Sequence, residues 1–309
     1  MTLRGRDFLE LQDHKRNELW NVLKVAKTLK QKVAKGGPLN TLKGKQLALI
    51  FEKPSTRTRV SFEVAMESLG GHAFYLGWNE LQMGRGETIA DSARVMTRYV
   101  DGIMARVYKH STLEELAKYS DVPVINGLSD LSHPVQTLAD IMTIWEKKKR
   151  LEGLKIAYVG DGDNVCNSLV VGCSMFGMNV SVACPQGYEP QEKYVQAAKQ
   201  NAIETGSKIE ILHEPYDAVK NADVLYTDVF VSMGQDTERQ KRLSVFLPKY
   251  QITRDLFSAA SKDAIFMHPL PAHREEEVQN AVIDDEKSAV WDQAENRLHS
   301  TRALLYLLL

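Results

Sequence analysis

Short apolar runs alternate along this chain with stretches whose apolar residues recur every three or four positions. The runs have strand length and the recurring stretches have helix period, so the pattern predicts parallel α/β architecture. One series of strands is expected at 46–51, 72–76, 102–106 and 122–126, and a second at 154–160, 178–184, 208–212, 223–229 and 264–268. A helix from about Pro134 to Lys149 separates the two series and ends in the basic run Lys147-Lys148-Lys149-Arg150, which suits a solvated C-terminal turn. The expected fold is two doubly wound parallel-sheet domains, 1–150 and 151–292. A strongly apolar last helix, about 293–309, packs back onto one of them.

Composition narrows the class. At 309 residues the chain is long enough for about two domains, and hydrophobic residues at 43% are ample for packed cores. Lys plus Arg is 39 against 40 Asp plus Glu, a net charge of −1, which argues against a nucleic-acid or polybasic membrane surface. The apolar tail Ala303–Leu309 is too short to cross a bilayer, and the first residues lack a signal-peptide core, so a cytoplasmic protein is expected. Cys166, Cys173 and Cys184 lack C-x-x-C spacing and read as buried free thiols, with no metal site.

Candidate chemistry begins where the first strand runs into a helix. Ser55, Thr56 and Thr58, with Arg57 and Arg59 beside them, sit where unpaired backbone N–H groups meet the positive end of the helix dipole. Hydroxyls add donors and arginine adds a planar fork that matches phosphate oxygens. The bland alternative is a capped helix with two solvated arginines. In Ser132-His133-Pro134-Val135-Gln136, proline suits the first helical position, which places His133 at the cap and Gln136 a turn further on. Arg106 ends a predicted strand, the edge where parallel sheets bind ligands. These donors together suit a small phosphorylated substrate with a carbonyl oxygen to polarise. Val159-Gly160-Asp161-Gly162 invites a dinucleotide reading, but the third glycine position holds Val165 and no acid ends the next strand at Val182-Ala183-Cys184. The turn instead presents Asn164 at a helix start.

Ser55-Thr56-Arg57-Thr58-Arg59, Arg106, His133-Pro134-Val135-Gln136 and His268-Pro269-Leu270-Pro271 resemble, in order and spacing, the motifs of the carbamoyltransferase family, over essentially the whole chain. The resemblance implies two α/β domains with the active site in the cleft between them, a homotrimer or multiple of trimers, and carbamoyl transfer from carbamoyl phosphate to an amine without a cofactor. It implies that Ser55, Thr56, Arg57 and Thr58 hold the phosphate, and that Arg106 bridges towards the carbonyl oxygen. His133 would donate to that oxygen, and Gln136 would bind the carbamoyl nitrogen. The backbone carbonyls of Pro269 and Leu270 would meet the carbamoyl group, and Arg297 would help bind the donor. Arg57, Arg106 and His133 would be the catalytic set. Gln82, in the glycine-flanked segment 82–88, resembles the family's mobile loop, which in relatives lies at a subunit interface; the bare alternative is a surface turn.

The acceptor is read from the second domain. Asp228-Val229-Phe230-Val231-Ser232-Met233-Gly234 resembles the loop of the family's ornithine-using members. It implies that Asp228 meets the ammonium, that Ser232 and the Met233 backbone hold the amino-acid head, and that Asn164 reaches its carboxylate. Two features point elsewhere. His268-Pro269-Leu270-Pro271 carries proline where ornithine-using members usually carry cysteine and aspartate-using members carry proline, and the basic run Arg239–Arg242 could meet an acidic side chain. Ornithine is the favoured acceptor; aspartate, putrescine, an acylated ornithine and a non-catalytic carbamoyl-phosphate sensor are the alternatives.

Overall fold

The structure, a computed structural model, describes residues 3–232 and 235–309. The chain forms two compact units, one of residues 1–139 with 295–309 and the other of residues 140–294. The passage between them falls between Ala139 and Asp140, inside the helix that the sequence places ahead of its boundary near residue 150.

The first unit contains α1 (Arg16–Ala34), β1 (Gln46–Phe51), α2 (Thr56–Ser68), β2 (His72–Gly77), α3 (Ile89–Met96), β3 (Gly102–Arg106), α4 (His110–Tyr119), β4 (Val124–Leu128) and the start of α5 (Pro134–Lys148). Its sheet is wholly parallel, in the order β2-β1-β3-β4. β1 and β3 are apolar on both faces because helices cover both sides of a parallel sheet. Ala48, Ile50, Ile103, Ala105, Leu113 and Leu116 form one continuous core. The strand order reverses between β1 and β3, and at such a switch point the chains leaving two adjacent strands turn to opposite sides and open a crevice at the strands' carboxyl ends.

The second unit continues with β5 (Lys155–Val159), α6 (Asn164–Met175), β6 (Asn179–Ala183), α7 (Glu192–Thr205), β7 (Ile209–Leu212), α8 (Pro215–Val219), β8 (Val224–Tyr226), α9 (Arg239–Phe246), α10 (Arg254–Ser258), β9 (Ile265–Met267) and α11 (Asn280–Ile283). Its parallel sheet has the order β7-β6-β5-β8-β9, with the switch between β5 and β8. Ala157, Val159, Leu225, Phe230, Phe246 and Phe266 anchor its core. The glycine turn after β5 has a packing cause. A Cβ on Gly162 would lie 2.2 Å from the Pro190 nitrogen and 2.4 Å from the Glu189 carbonyl carbon, so only glycine admits the 188–190 backbone there.

The last helix, α12 (Val290–Leu308), contributes its residues from Glu295 onward to the first unit. Lys30 donates to Asn296 at 2.8 Å and Arg302 donates to Ser68 at 2.7 Å, while Ala303, Leu304, Leu305 and Leu308 are buried. Among the described residues, no helix is long and apolar enough to cross a membrane.

Candidate active site

At the switch point of the first unit, α2 opens with Ser55 as its cap. The Ser55 hydroxyl accepts from the Thr58 N–H at 3.3 Å and lies 3.2 Å from the Thr58 hydroxyl. Thr56, Arg57 and Thr58 fill the first turn, so backbone donors, hydroxyls and one guanidinium are presented together. Arg106 ends the neighbouring β3 beside a register shift, and its carbonyl accepts from the Glu52 N–H at 2.8 Å, tying it to the segment that leads into α2. Burial, reinforced by the Arg106 charge, lowers the Lys53 ammonium below its ordinary value.

His133 precedes Pro134, the first residue of α5, and its carbonyl accepts from the Gln136 N–H at 3.1 Å. The preceding loop is fixed by the buried Asn126 of β4, which donates to the Ser132 hydroxyl and to the Leu9 carbonyl, each at 2.9 Å. Arg297 joins these parts. Its guanidinium, buried on α12, donates to the Gln136 side-chain oxygen, to His133 Nε2 at 3.3 Å and to the Thr58 hydroxyl at 3.4 Å. Arginine only donates, so His133 Nε2 is an acceptor and the ring is neutral with its proton on Nδ1. Burial, then the charges of Arg297 and Arg106, hold the imidazole well below its ordinary pKa.

The second unit has the opposite polarity at its switch point. Asp161 and Asp163 follow β5, and Asp228 follows β8. Asp163 caps α6, accepting from the Val165 N–H at 3.2 Å, and accepts from the Ser232 hydroxyl at 3.1 Å. Asn164 is the first residue of that helix. Asp228 accepts from the Val229 N–H at 2.8 Å. Arg242 of α9 donates to Asp161 and, at 2.6 Å, to the Phe230 carbonyl, with its guanidinium 5.1 Å from the Tyr188 ring centre. Two of these carboxylates, Asp161 and Asp163, face one guanidinium. Burial followed by the Asp163 charge raises Asp161 to about 7, burial raises Asp163 to about 6, and burial with the Asp163 charge lifts Asp228 well above the usual carboxylate range.

In the segment after β9, His268 is buried. Its Nδ1 accepts from the Leu270 N–H at 2.9 Å, so its Nε2 carries the proton and donates to Glu277 at 3.0 Å. This pins Pro269 and Leu270, the latter at φ +57°. His273, Glu276 and Glu277 bring possible metal-ligand atoms within 4.8 Å of one another, but Glu276 pairs with Arg239 and Glu277 also accepts from the His273 N–H.

Two family models match the chain: the carbamoyl-P binding domain of aspartate/ornithine carbamoyltransferase over residues 6–146, and the Asp/Orn binding domain over residues 152–308. The chain belongs to the aspartate/ornithine carbamoyltransferase family. Within this family it is 58% identical to the ornithine carbamoyltransferase of Pyrococcus horikoshii over 100% of its own length and 97% of that protein's. The solved ornithine carbamoyltransferase of Pyrococcus furiosus superposes with a TM-score of 0.97 at 58% identity, covering 100% of this chain and 98% of that one. The anabolic enzyme of Campylobacter jejuni superposes with a TM-score of 0.91 at 39% identity, covering 97% of each chain.

Against this family background, Thr58, His133, Gln136 and Arg297 are brought together by direct hydrogen bonds, with Ser55 joined through Thr58. Arg59 turns away, pairing with Glu63 at 2.9 Å and lying 4.2 Å over the Tyr75 ring. Gln82 is exposed in a short 3-10 turn and is not part of the Arg297 cluster. Met233 lies outside the described residues. Sequence reasoning passed over Asp161 and Asp163 because it tested the glycine turn for a dinucleotide rather than for acids. It also left Arg242 as a possible ligand group; its i, i+4 partner Phe246, a core aromatic, was the available sign of a buried side chain.

Proposed function

We propose that this chain transfers the carbamoyl group of carbamoyl phosphate to the δ-amine of L-ornithine, giving L-citrulline and phosphate. It works in the cytoplasm, as a homotrimer or a multiple of trimers, and the relatives named anabolic favour this synthetic direction. The observation that carries the choice of acceptor is the acid group at the second switch point. Asp163 and Asp228 suit the α-ammonium that any amino acid carries, and their charge opposes an acidic side chain beside it, while the arginines that could have met such a side chain are already engaged: Arg242 by Asp161 and Arg239 by Glu276. A cationic amino acid suits this site and aspartate does not.

Donor binding follows from the first unit. Ser55, Thr56, Arg57 and Thr58 hold the phosphate at the start of α2, and Arg106 reaches the carbonyl oxygen. His133 donates to that oxygen from Nδ1, since Nε2 faces Arg297. Gln136 Oε1 accepts from Arg297 and keeps a second lone pair for the carbamoyl N–H. The carbonyls of Pro269 and Leu270 serve the same group; proline keeps its carbonyl. In the second unit, Asp228 and Ser232 take the α-ammonium, and Asn164 takes the carboxylate. Met233 contributes its backbone, and Gln82 serves a neighbouring subunit.

The δ-amine has a solution pKa of about 10.4, so it must shed a proton before it attacks. As the neutral nitrogen bonds to the carbamoyl carbon, negative charge grows on the carbonyl oxygen, where Arg57, Arg106 and His133 stabilise it. The C–O bond to phosphate then breaks with its electron pair, and the departing phosphate takes the second nitrogen proton. Orientation of both substrates supplies the remaining advantage. The test is to mix purified protein and carbamoyl phosphate with ornithine, aspartate, putrescine or N-acetylornithine and to identify the ureido product. Citrulline is expected. Carbamoyl-aspartate without citrulline overturns the assignment, and no product with any amine points to a sensor.

A further inference from the structure

Within this ornithine reading, on which the inference rests, we infer that Asp163 is a positioning and specificity residue. Its carboxylate turns the Ser232 oxygen into an acceptor and, beside Asp228, sets the site's preference for an ammonium head.

Two of the bonds to the Asp163 carboxylate have different consequences. One oxygen caps α6 by accepting from the Val165 N–H at 3.2 Å, a task that asparagine performs equally well. The other accepts from the Ser232 hydroxyl at 3.1 Å. A serine hydroxyl has one proton; once that proton points at Asp163, the lone pairs of the serine oxygen point elsewhere. An ammonium offers three donors and no acceptor, so a site for it needs such oriented lone pairs. The Ser232 N–H is itself held by the Gln235 side chain at 2.9 Å, which fixes where the hydroxyl starts from.

Charge supplies the second half. The groups facing Asp163 are Asp161 and Tyr158 from the β5 side, Cys166 on its own helix, Arg242 from α9, and Asp228 and Ser232 beyond β8. Tyr158 spends its hydroxyl on the Asp161 carbonyl at 2.8 Å, and Arg242 is engaged by Asp161 and Phe230. A fold seeking stability alone would not place a third carboxylate here, because like charges in a buried site oppose one another. A bound α-ammonium supplies the missing cation and draws the acids into their ionised forms. Asp163, raised to about 6, therefore loses its charge as pH falls through that region, and affinity for the head should fall with it.

The experiment compares wild type, D163N, S232A and the double variant. It measures the KM of ornithine, the inhibition constant of L-norvaline (the same α-amino-acid head without the δ-amine), and the Tm. In D163N, at pH 8, both the ornithine KM and the norvaline constant should rise about tenfold, the equivalent of ~1.4 kcal/mol. kcat should change less, the KM of carbamoyl phosphate should hold, and Tm should stay equal or rise. The wild-type loss of norvaline affinity between pH 7.5 and 5.5 should flatten. The double variant should be little worse than either single one, because both remove the same oriented acceptor. Norvaline binding within twofold of wild type with an unchanged pH profile overturns the inference, as does additivity of the two changes. A drop in Tm that accounts for the lost affinity reduces Asp163 to a cap and also overturns it. Wild-type protein that makes carbamoyl-aspartate overturns this reading and the ornithine assignment together; citrulline formation with Asp163-independent norvaline binding overturns this one alone.

Discussion

Arg297 ties the parts of the proposed donor site together through one side chain. Its buried guanidinium donates to Thr58, His133 and Gln136, three residues from two different elements, and so fixes the orientation of each. Replacing it with methionine keeps much of the volume and removes the donors. R297M should lower kcat/KM for carbamoyl phosphate ~100-fold or more, because it releases His133, a proposed transition-state donor, from its orientation. Full activity in steady-state kinetics would remove Arg297 from the site. The same substitution should move His133. In the wild type its folded pKa lies below the unfolded value of about 6.5, so its neutral burial favours folding above that value and opposes it as pH falls. Nitrogen NMR of labelled histidine should find His133 untitrated from pH 8 to 5.5 in the wild type and shifted towards ordinary titration in R297M. A wild-type imidazole that protonates near pH 6.5 would contradict the burial and charge argument.

At the start of α2 the hydroxyl that caps the helix is also the proposed phosphate donor. Ser55 accepts from the Thr58 N–H, so S55A should lose a cap worth about 1 kcal/mol, whereas S55G should lose only a few tenths. Both remove the proposed phosphate donor and should raise the KM of carbamoyl phosphate alike. Parallel changes of Tm and KM across the two variants would mean that the KM effect is only disorder of the helix. Elements of this kind were legible beforehand. β1 is an unbroken apolar run from Leu47 to Phe51, as a sheet position buried on both faces requires, and Pro134 marks the start of α5. Less legible was anything decided by distant partners. Arg242 stands in a basic run that looks solvent-facing, yet it pairs with Asp161, 81 positions away. The glycine turn after β5 looks nucleotide-like until the backbone of 188–190 fills the space beside Gly162. Local pattern carries periodicity and caps; it does not carry which charges meet.

At the scale of the molecule, one architectural device is used twice with opposite charge. Each unit is a parallel sheet whose strand order reverses once, and each reversal gathers polar residues at the strands' carboxyl ends. Arginines and helix-start donors collect at the first, and carboxylates at the second. Gln82, a proposed site residue, belongs to neither gathering: it is exposed in a 3-10 turn that precedes α3. Either that turn serves its own subunit or, as proposed, it serves another, and the proposed trimer makes the question testable. Q82A and R57A should each be nearly inactive as pure assemblies. If Gln82 serves a neighbour, co-refolding the two at equal ratio creates sites that take Arg57 from one chain and Gln82 from the other. Random assembly makes about a quarter of the sites intact, so activity should recover to roughly that share of wild type. If Gln82 serves its own subunit, every site in every hybrid lacks one residue, and activity should stay at the level of the pure variants.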